Sequence, residues 1–257
     1  MVEEGRSALR SDRLRYLSLT IASLACGLVL WQVISVLVPA YLVPSPISVV
    51  LRWGQLAQSG VLGADVLTTL EEALLGFLLG SATALVLGYL VARVRLLEAI
   101  ASPYVAASQA MPMLAFAPLL ITLLGIGLLP NVLIAALIIF FPTLVNTVVA
   151  VRGVDPEVLD AARTDGAGAG NLLLHVEAPL SLPVVLSGVK ISVTLAMTGA
   201  IVAEFVASSS GLGYLLQLGR TDYDGPMVFA AALTVAAVSV LAYAGTTALE
   251  HALRRRL

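Results

Sequence analysis

The chain has 257 residues, of which 59% are hydrophobic and 12% charged, and a formal net charge of −2. Soluble domains run at about 45–50% apolar and about 25% charged residues, so the composition excludes an ordinary soluble enzyme and a disordered chain. With no basic surplus to neutralise phosphates it is no nucleic-acid binder, and its one cysteine, Cys26, supports neither a disulfide framework nor a Cys-rich metal site.

What remains is an all-α polytopic membrane protein. A spanning helix needs about 20 mainly apolar residues. Residues 16–51, 73–92, 99–151 and 225–249 carry no charge, and 99–151 is long enough for two spans. A further apolar stretch, about 181–206, holds only Lys190 and Glu204. In chain order this predicts six spans, at 16–38, 67–91, 99–124, 131–150, 183–206 and 227–249, flanked by a segment 1–15 and a basic tail 251–257. Pro39, Pro44 and Pro46 close the first span, and residues 47–58 read as a short helix along the outer surface. Gly125 to Asn131 forms a tight turn between the third and fourth spans, and Asp224-Gly225-Pro226 opens the sixth. The runs are continuous, unlike the alternating ten-residue segments of an outer-membrane barrel. The first exceeds a signal-peptide core and is followed by no small-x-small cleavage site, so it reads as an uncleaved anchor.

Lys and Arg in the short loops set the orientation. Twelve, from Arg6 to Arg256, fall on one side; Arg52 and Arg220 alone fall on the other. Both termini are therefore expected in the cytoplasm, with 40–66 and 207–226 outside and 151–182 as the largest cytoplasmic loop. The chain has no phosphate-binding G-x-x-x-x-G-K-[ST] and no H-E-x-x-H. Its histidines, His175 and His251, lie outside the spans, so no Ser–His pair forms at mid-membrane. A secondary transporter or channel is the alternative from another class. It would need ion ligands or broken helices in matching halves.

The loop at 151–182 is punctuated as helix. Asp155 is an N-cap, Pro156 sits at N1, Glu157 favours the positive end, and Gly166 fits C′. A helix is predicted over 156–165 with Val158, Leu159 and Ala162 on one face. Asn171 caps a second helix, Leu172–Val176, that stops before Pro179. Such a loop is either a compact connector or a docking element for a partner groove.

Here the residues resemble a family. Asp160-Ala161-Ala162, three residues, Gly166, nine residues, Val176, Glu177, Ala178-Pro179 is similar to the EAA motif of ABC importer permeases, with Asp in place of Glu and Ala in place of Leu. Val43-Pro44-Ser45-Pro46 with Val49, Met111-Pro112 through Ala117-Pro118-Leu119, Leu124-Gly125-Ile126-Gly127, Gly153-Val154-Asp155-Pro156 and Ala203-Glu204-Phe205 through Ser210-Gly211-Leu212-Gly213-Tyr214 resemble the nitrate/sulfonate/taurine-type subfamily. That subfamily also includes importers of thiamine precursors and riboflavin-like vitamins.

The resemblance implies a type I importer permease fold in the inner membrane. It implies a second permease chain, usually identical, and two copies of a separate ATPase that binds ATP and Mg. An extracytoplasmic binding protein delivers a sulfonate-, taurine- or nitrate-like anion, or else a vitamin or cofactor precursor. This chain would bind no cofactor and no nucleic acid. Leu159, Asp160, Ala161, Ala162, Arg163 and Gly166 would couple to the ATPase. Gln109, Met111, Met113, Asn146, Thr194, Thr198 and Glu204 are path candidates. Mid-span polar residues such as these and Thr143 and Thr147 more often bond between helices, and Met111 and Met113 equally fill core around Pro112. Glu204 fits a path or gate, or a wet interface beside Ser208–Ser210. Glu71 and Glu72 read as favourable charge at the start of the second span. Gly76, Gly80 and Gly88 mark close helix packing.

Overall fold

The computed structural model describes residues 2–110 and 113–254, with side chains at 19–108 and 115–248. Among these residues every regular element is helical. Five stretches are long and apolar enough to cross a membrane: Leu19–Leu37, Val61–Arg93, Leu128–Arg152, Ala169–Thr221 and Gly225–Ala248.

The first helix, α1 (Val2–Leu37), has an apolar window with no residue buried and touches the rest mainly through Trp31. The Trp31 ring stacks on Phe229, and its Nε1 donates to the Pro44 carbonyl at 3.0 Å. Ser45 then caps α2 (Pro46–Gln58), accepting from the Ser48 N–H at 3.2 Å. This apolar face lies against α11 (Gly225–Arg254), where Val49 and Leu56 meet Met227, Ala230 and Ala231. Arg52 pairs with Asp224 at 2.6 Å, and Trp53 donates to Thr234 at 3.1 Å.

The centre is built from α3 (Val61–Arg93), α6 (Leu128–Arg152) and α9 (Ala178–Ala207). Small residues let the three approach. A Cβ at Gly76 would lie 2.5 Å from the Ala135 Cβ, one at Gly80 2.6 Å from Ile139, and one at Gly88 2.8 Å from Thr147. The glycine spacing read from the second span is thus an α3–α6 seam. α3 begins six residues before the predicted start, which moves Glu71 and Glu72 from a helix end into the helix interior.

The third predicted span, 99–124, is not one helix. α4 (Arg95–Ala110) ends, a 3-10 turn covers Met113–Phe116, and α5 (Ala117–Leu124) restarts. Pro118 sits in the first turn of α5, where it has no N–H to donate back into the preceding turn, and the chain restarts there as a separate short helix. α5 packs Ala117 against Ile134 of α6 and Ala203 of α9. Arg152 joins α6 to α4, donating to Glu98 Oε1 at 2.7 Å. That hydrogen bond holds the Glu98 carboxyl below the usual carboxylate range.

The loop after α6 carries α7 (Pro156–Thr164) and α8 (Ala169–Leu172). The second loop helix differs from expectation. It starts at Ala169 after Gly168, not at Asn171, and does not stop before Pro179. A π-turn over Leu173–Glu177 leads straight into α9, with Pro179 in its first turn directly after the irregular turn. α10 (Leu212–Thr221) folds back over the end of α9 and α11.

Candidate functional site

Three places gather the chain's polar residues. The first is α7. Asp155 Oδ1 accepts the Glu157 N–H at 2.9 Å, as an N-cap should. The far end closes with the Gly166 N–H on the Arg163 carbonyl and the Ala167 N–H on the Ala162 carbonyl, both at 3.0 Å. This double closure needs a left-handed residue, and Gly166 supplies it at φ +88°. Leu159 turns inward onto Val154 and Leu172, with Ala162 and Val176 packed alongside. Leu159 therefore supports the helix from within, although the sequence placed it among the partner contacts. Val158, expected on the same face, is exposed, because neighbouring helical residues point about 100° apart. The outward face presents Asp160, Ala161 and Arg163, with Arg163 donating to Asp160 Oδ1 at 2.8 Å.

The loop is fastened to the bundle by an ion pair that the sequence reading did not name. Arg93, at the end of α3, pairs with Glu177 of the π-turn, and its Nε also donates to Glu177 Oε2 at 3.2 Å. The Glu177 side chain is 3% exposed. The available signal was two opposite charges on the same expected side of the membrane.

The second place is α9. Ser187, Ile191, Thr194 and Thr198 recur at helical spacing on a face that nothing among the described residues covers. The Thr198 hydroxyl donates to the Thr194 carbonyl at 3.1 Å. About two turns further on, the face reaches Phe205, with the Arg220 guanidinium 5.9 Å from its ring centroid. Tyr41, Phe205, Arg220, Tyr223 and Phe229 line a cavity of about 430 Å³ here. Asn146 is elsewhere, against α9: a Cβ at Gly188 would meet its Nδ2 at 2.3 Å. Thr143 shares a 2.7 Å hydrogen bond with Ser192, and Thr147 bonds back to the Thr143 carbonyl. Thr143 thus ties α6 to α9, Thr147 bonds within α6, and Asn146 packs against Gly188 of α9. Met111 lies outside the described residues, and Gln109 and Met113 outside the described side chains.

The third place joins α3, α6, α9 and α10. Three successive N–H groups open α10, and each finds a side chain far away in sequence or on another helix. Gly211 donates to Asp65 Oδ1 at 2.8 Å, Leu212 to Thr69 Oγ1 at 2.9 Å, and Gly213 to Glu204 Oε2 at 2.6 Å. Asn131 donates to Glu72 Oε1 at 2.8 Å. Glu72 is 2% and Glu204 1% exposed. Glu204 therefore lines no open path, and it does not bond Ser208–Ser210, whose own contact is Ser208 Oγ to the Ser210 carbonyl at 2.9 Å. Gly211 and Gly213 make room for it. A Cβ at Gly213 would sit 2.2 Å from the Ile201 carbonyl, and one at Gly211 2.3 Å from the Glu204 carboxyl.

Residues 76–255 match the family described as binding-protein-dependent transport system inner membrane component. The chain belongs to that family. It is 46% identical over 89% of its length to the riboflavin transport system permease protein RibX of Chloroflexus aurantiacus, covering 86% of that protein. It is 34% identical to the putative aliphatic sulfonates transport permease protein SsuC of Bacillus subtilis, over 87% of this chain and 82% of that one. To the formylaminopyrimidine transport permease protein ThiX of Halalkalibacterium halodurans it is 31% identical, over 88% of this chain and 90% of that one. Its fold is similar to a chain of the MetNI methionine ABC transporter in inward-facing conformations, with TM-score 0.65 and 17% identity over 75% of this chain and 95% of that chain. A chain of an amino acid ABC transporter matches with TM-score 0.58 and 18% identity, over 79% and 97%. The chain is accordingly a multi-pass permease subunit of an ABC importer and not an enzyme.

Proposed function

We propose that this permease works as a pair of copies, with the uncovered face of α9 lining the path between them. The helix α7 docks on a separate ATPase that carries ATP and Mg, one ATPase per permease. An extracytoplasmic binding protein delivers the solute near the cavity beside Phe205, and both termini of the permease face the cytoplasm. The observation that carries the coupling role is the exposed Asp160–Ala161–Arg163 surface on a helix closed at both ends and braced by Leu159. A rigid short helix transmits a push, whereas a frayed one absorbs it.

For the solute, the reading best supported is a planar heterocycle of the riboflavin kind. The relative that carries that name is identical at 46% of the 230 aligned positions, and four aromatic rings line the cavity at the end of the α9 face. Rings offer stacking area without requiring charge on the ligand. One observation favours a sulfonate-like anion instead: Arg220 is a cation at the same mouth.

The test is mild purification of the tagged chain from its own membranes, wild type beside Gly166→Pro, with mass spectrometry of what accompanies it. Proline cannot adopt a φ of +88°. An ATPase subunit should accompany wild type and be lost from the variant. Uptake of labelled riboflavin, competed by unlabelled riboflavin and not by taurine, selects the first solute reading, and the reverse selects the second. A chain that never retains an ATPase refutes the coupling role.

A further inference from the structure

We propose that Glu72 and Glu204 hold a single proton between them, making a proton-binding site in the joint where α3, α6, α9 and α10 meet. Glu72 Oε1 accepts from Asn131, and Glu204 Oε2 accepts from the Gly213 N–H. The other oxygen of each, Glu72 Oε2 and Glu204 Oε1, is buried without a partner. Glu204 has the Glu72 carboxyl and the Thr69 hydroxyl within hydrogen-bonding reach, but the Thr69 proton is already given to the Asp65 carbonyl at 3.1 Å. Buried acceptors are almost always matched by a donor. Two orphan oxygens on carboxyls within reach of each other lack one thing, a proton, and one proton satisfies both as O–H···O. Without it, two negative charges would face each other in a site where charge is costly.

The surroundings supply no substitute cation. From α3 the further ionisable groups facing the pair are Asp65 and Glu71, both acidic. α6 has no ionisable side chain before Arg152 and presents Asn131. On α9, Lys190 lies fourteen residues from Glu204, about 21 Å along a helix at about 1.5 Å per residue. On α10, Arg220 is at the far end, over Phe205. Residues 225–249 of α11 carry no Asp, Glu, Lys or Arg. Asn131 Oδ1 is a third unpartnered oxygen, which raises a bound alkali cation as the rival. Among the described residues, however, no three His, Cys, Asp or Glu side chains are grouped to hold a metal.

The proton thereby becomes a ligand of this packing. The helix α9 carries the uncovered face, and it cannot leave α3 without stranding an acid in an apolar interior. This inference does not depend on which solute is carried or on which ATPase docks.

The pattern of substitution is specific. In Glu204→Gln, the amide oxygen still accepts from Gly213 and the amide N–H donates to Glu72 Oε2. In Glu72→Gln, the oxygen accepts from Asn131 and the N–H donates to Glu204 Oε1. Each single variant supplies the missing donor without a proton, whereas the double variant sets two NH2 groups against each other. The experiment is infrared spectroscopy and thermal melting of the purified chain in lipid at neutral pH. Wild type should show a carboxylic-acid C=O band that shifts in D2O and is lost from either single variant. Both singles should melt within a few degrees of wild type, and the double well below both. A wild type without the band overturns the proposal, as does a band that persists in both singles. Failure of both singles to fold overturns it as well. Wild-type melting that rises with Na+ but not with choline assigns the site to a metal cation instead.

Discussion

The α7 loop and the four-helix joint both end helices in hydrogen bonds, but they do so at opposite ranges. Asp155 caps a helix two residues away, and Gly166 closes it with carbonyls three and four residues behind. At the joint, α10 is capped by Asp65 and Thr69, which precede it by 146 and 143 residues. Local capping leaves the outer face of α7 free for a partner, because the helix needs nothing from outside to be well formed. Long-range capping does the reverse: it turns the polar groups of Asp65, Thr69 and Glu204 inward onto the first N–H groups of α10 and makes the position of α10 conditional on α3 and α9. A transporter needs both, a rigid lever at the surface and a joint whose pieces know where the others are.

The comparison breaks first at Gly213. Gly213→Ala places a methyl 2.2 Å from the Ile201 carbonyl and 2.7 Å from the Glu204 Cβ. Backbone cannot yield, so the cost should reach about 3 kcal/mol or more, seen as loss of the folded monomer or a large drop in melting temperature. Gly63→Ala, with nothing within 4 Å, is the matched control and should melt as wild type does.

Next comes the pair that links the two regions. Arg93→Met leaves Glu177 charged and 3% exposed beside an apolar side chain. Removing one partner of a buried pair costs about 3–5 kcal/mol, and the partial exposure of Arg93 puts the expectation at the lower end. Adding Glu177→Gln should recover most of the loss, which a double-mutant cycle on melting temperature measures.

Smaller still is the loss of a local cap. Asp155→Ala should cost about 1 kcal/mol, and its effect should appear as faster amide exchange confined to α7, with α10 unchanged. Smallest is Arg163→Ala. Its pair with Asp160 is solvent-exposed on both sides, and such pairs contribute about 0–1 kcal/mol. Melting should not move, so any loss of the ATPase from the purified complex would come from the removed surface itself. A large thermal effect at Arg163 together with none at Gly213 would invert the proposed division between lever and joint.

Much of the loop was legible because its signals are local. Asp155, Pro156 and Gly166 each act within one helical turn, so their order along the chain sets the helix ends. The error there was also local: Val158 and Leu159 cannot both face inward, and the sequence offers no reason to choose between them. The long apolar helices α1, α3, α6 and α11 were legible because each contains a long charge-free run. The third span, read as one helix, is divided between α4 and α5 by a 3-10 turn that hydropathy does not register, because hydropathy measures apolarity alone. Glu72 was misread because the start of α3 was placed six residues late, and charge at a helix end has a different meaning from charge inside one.

By itself, the sequence determined that this chain crosses a membrane repeatedly, that α7 forms where it does, and that small residues on α3 face a neighbour. Composition, caps and spacing act within a turn or two, and they carry their physics wherever the chain goes. The tertiary structure alone decided that Asp65, Glu72, Asn131, Glu204 and the start of α10 meet, and that Arg93 holds Glu177. Those residues lie up to 146 positions apart. Their partners are chosen by which helices pack together, and packing follows from the whole set of faces rather than from any one segment.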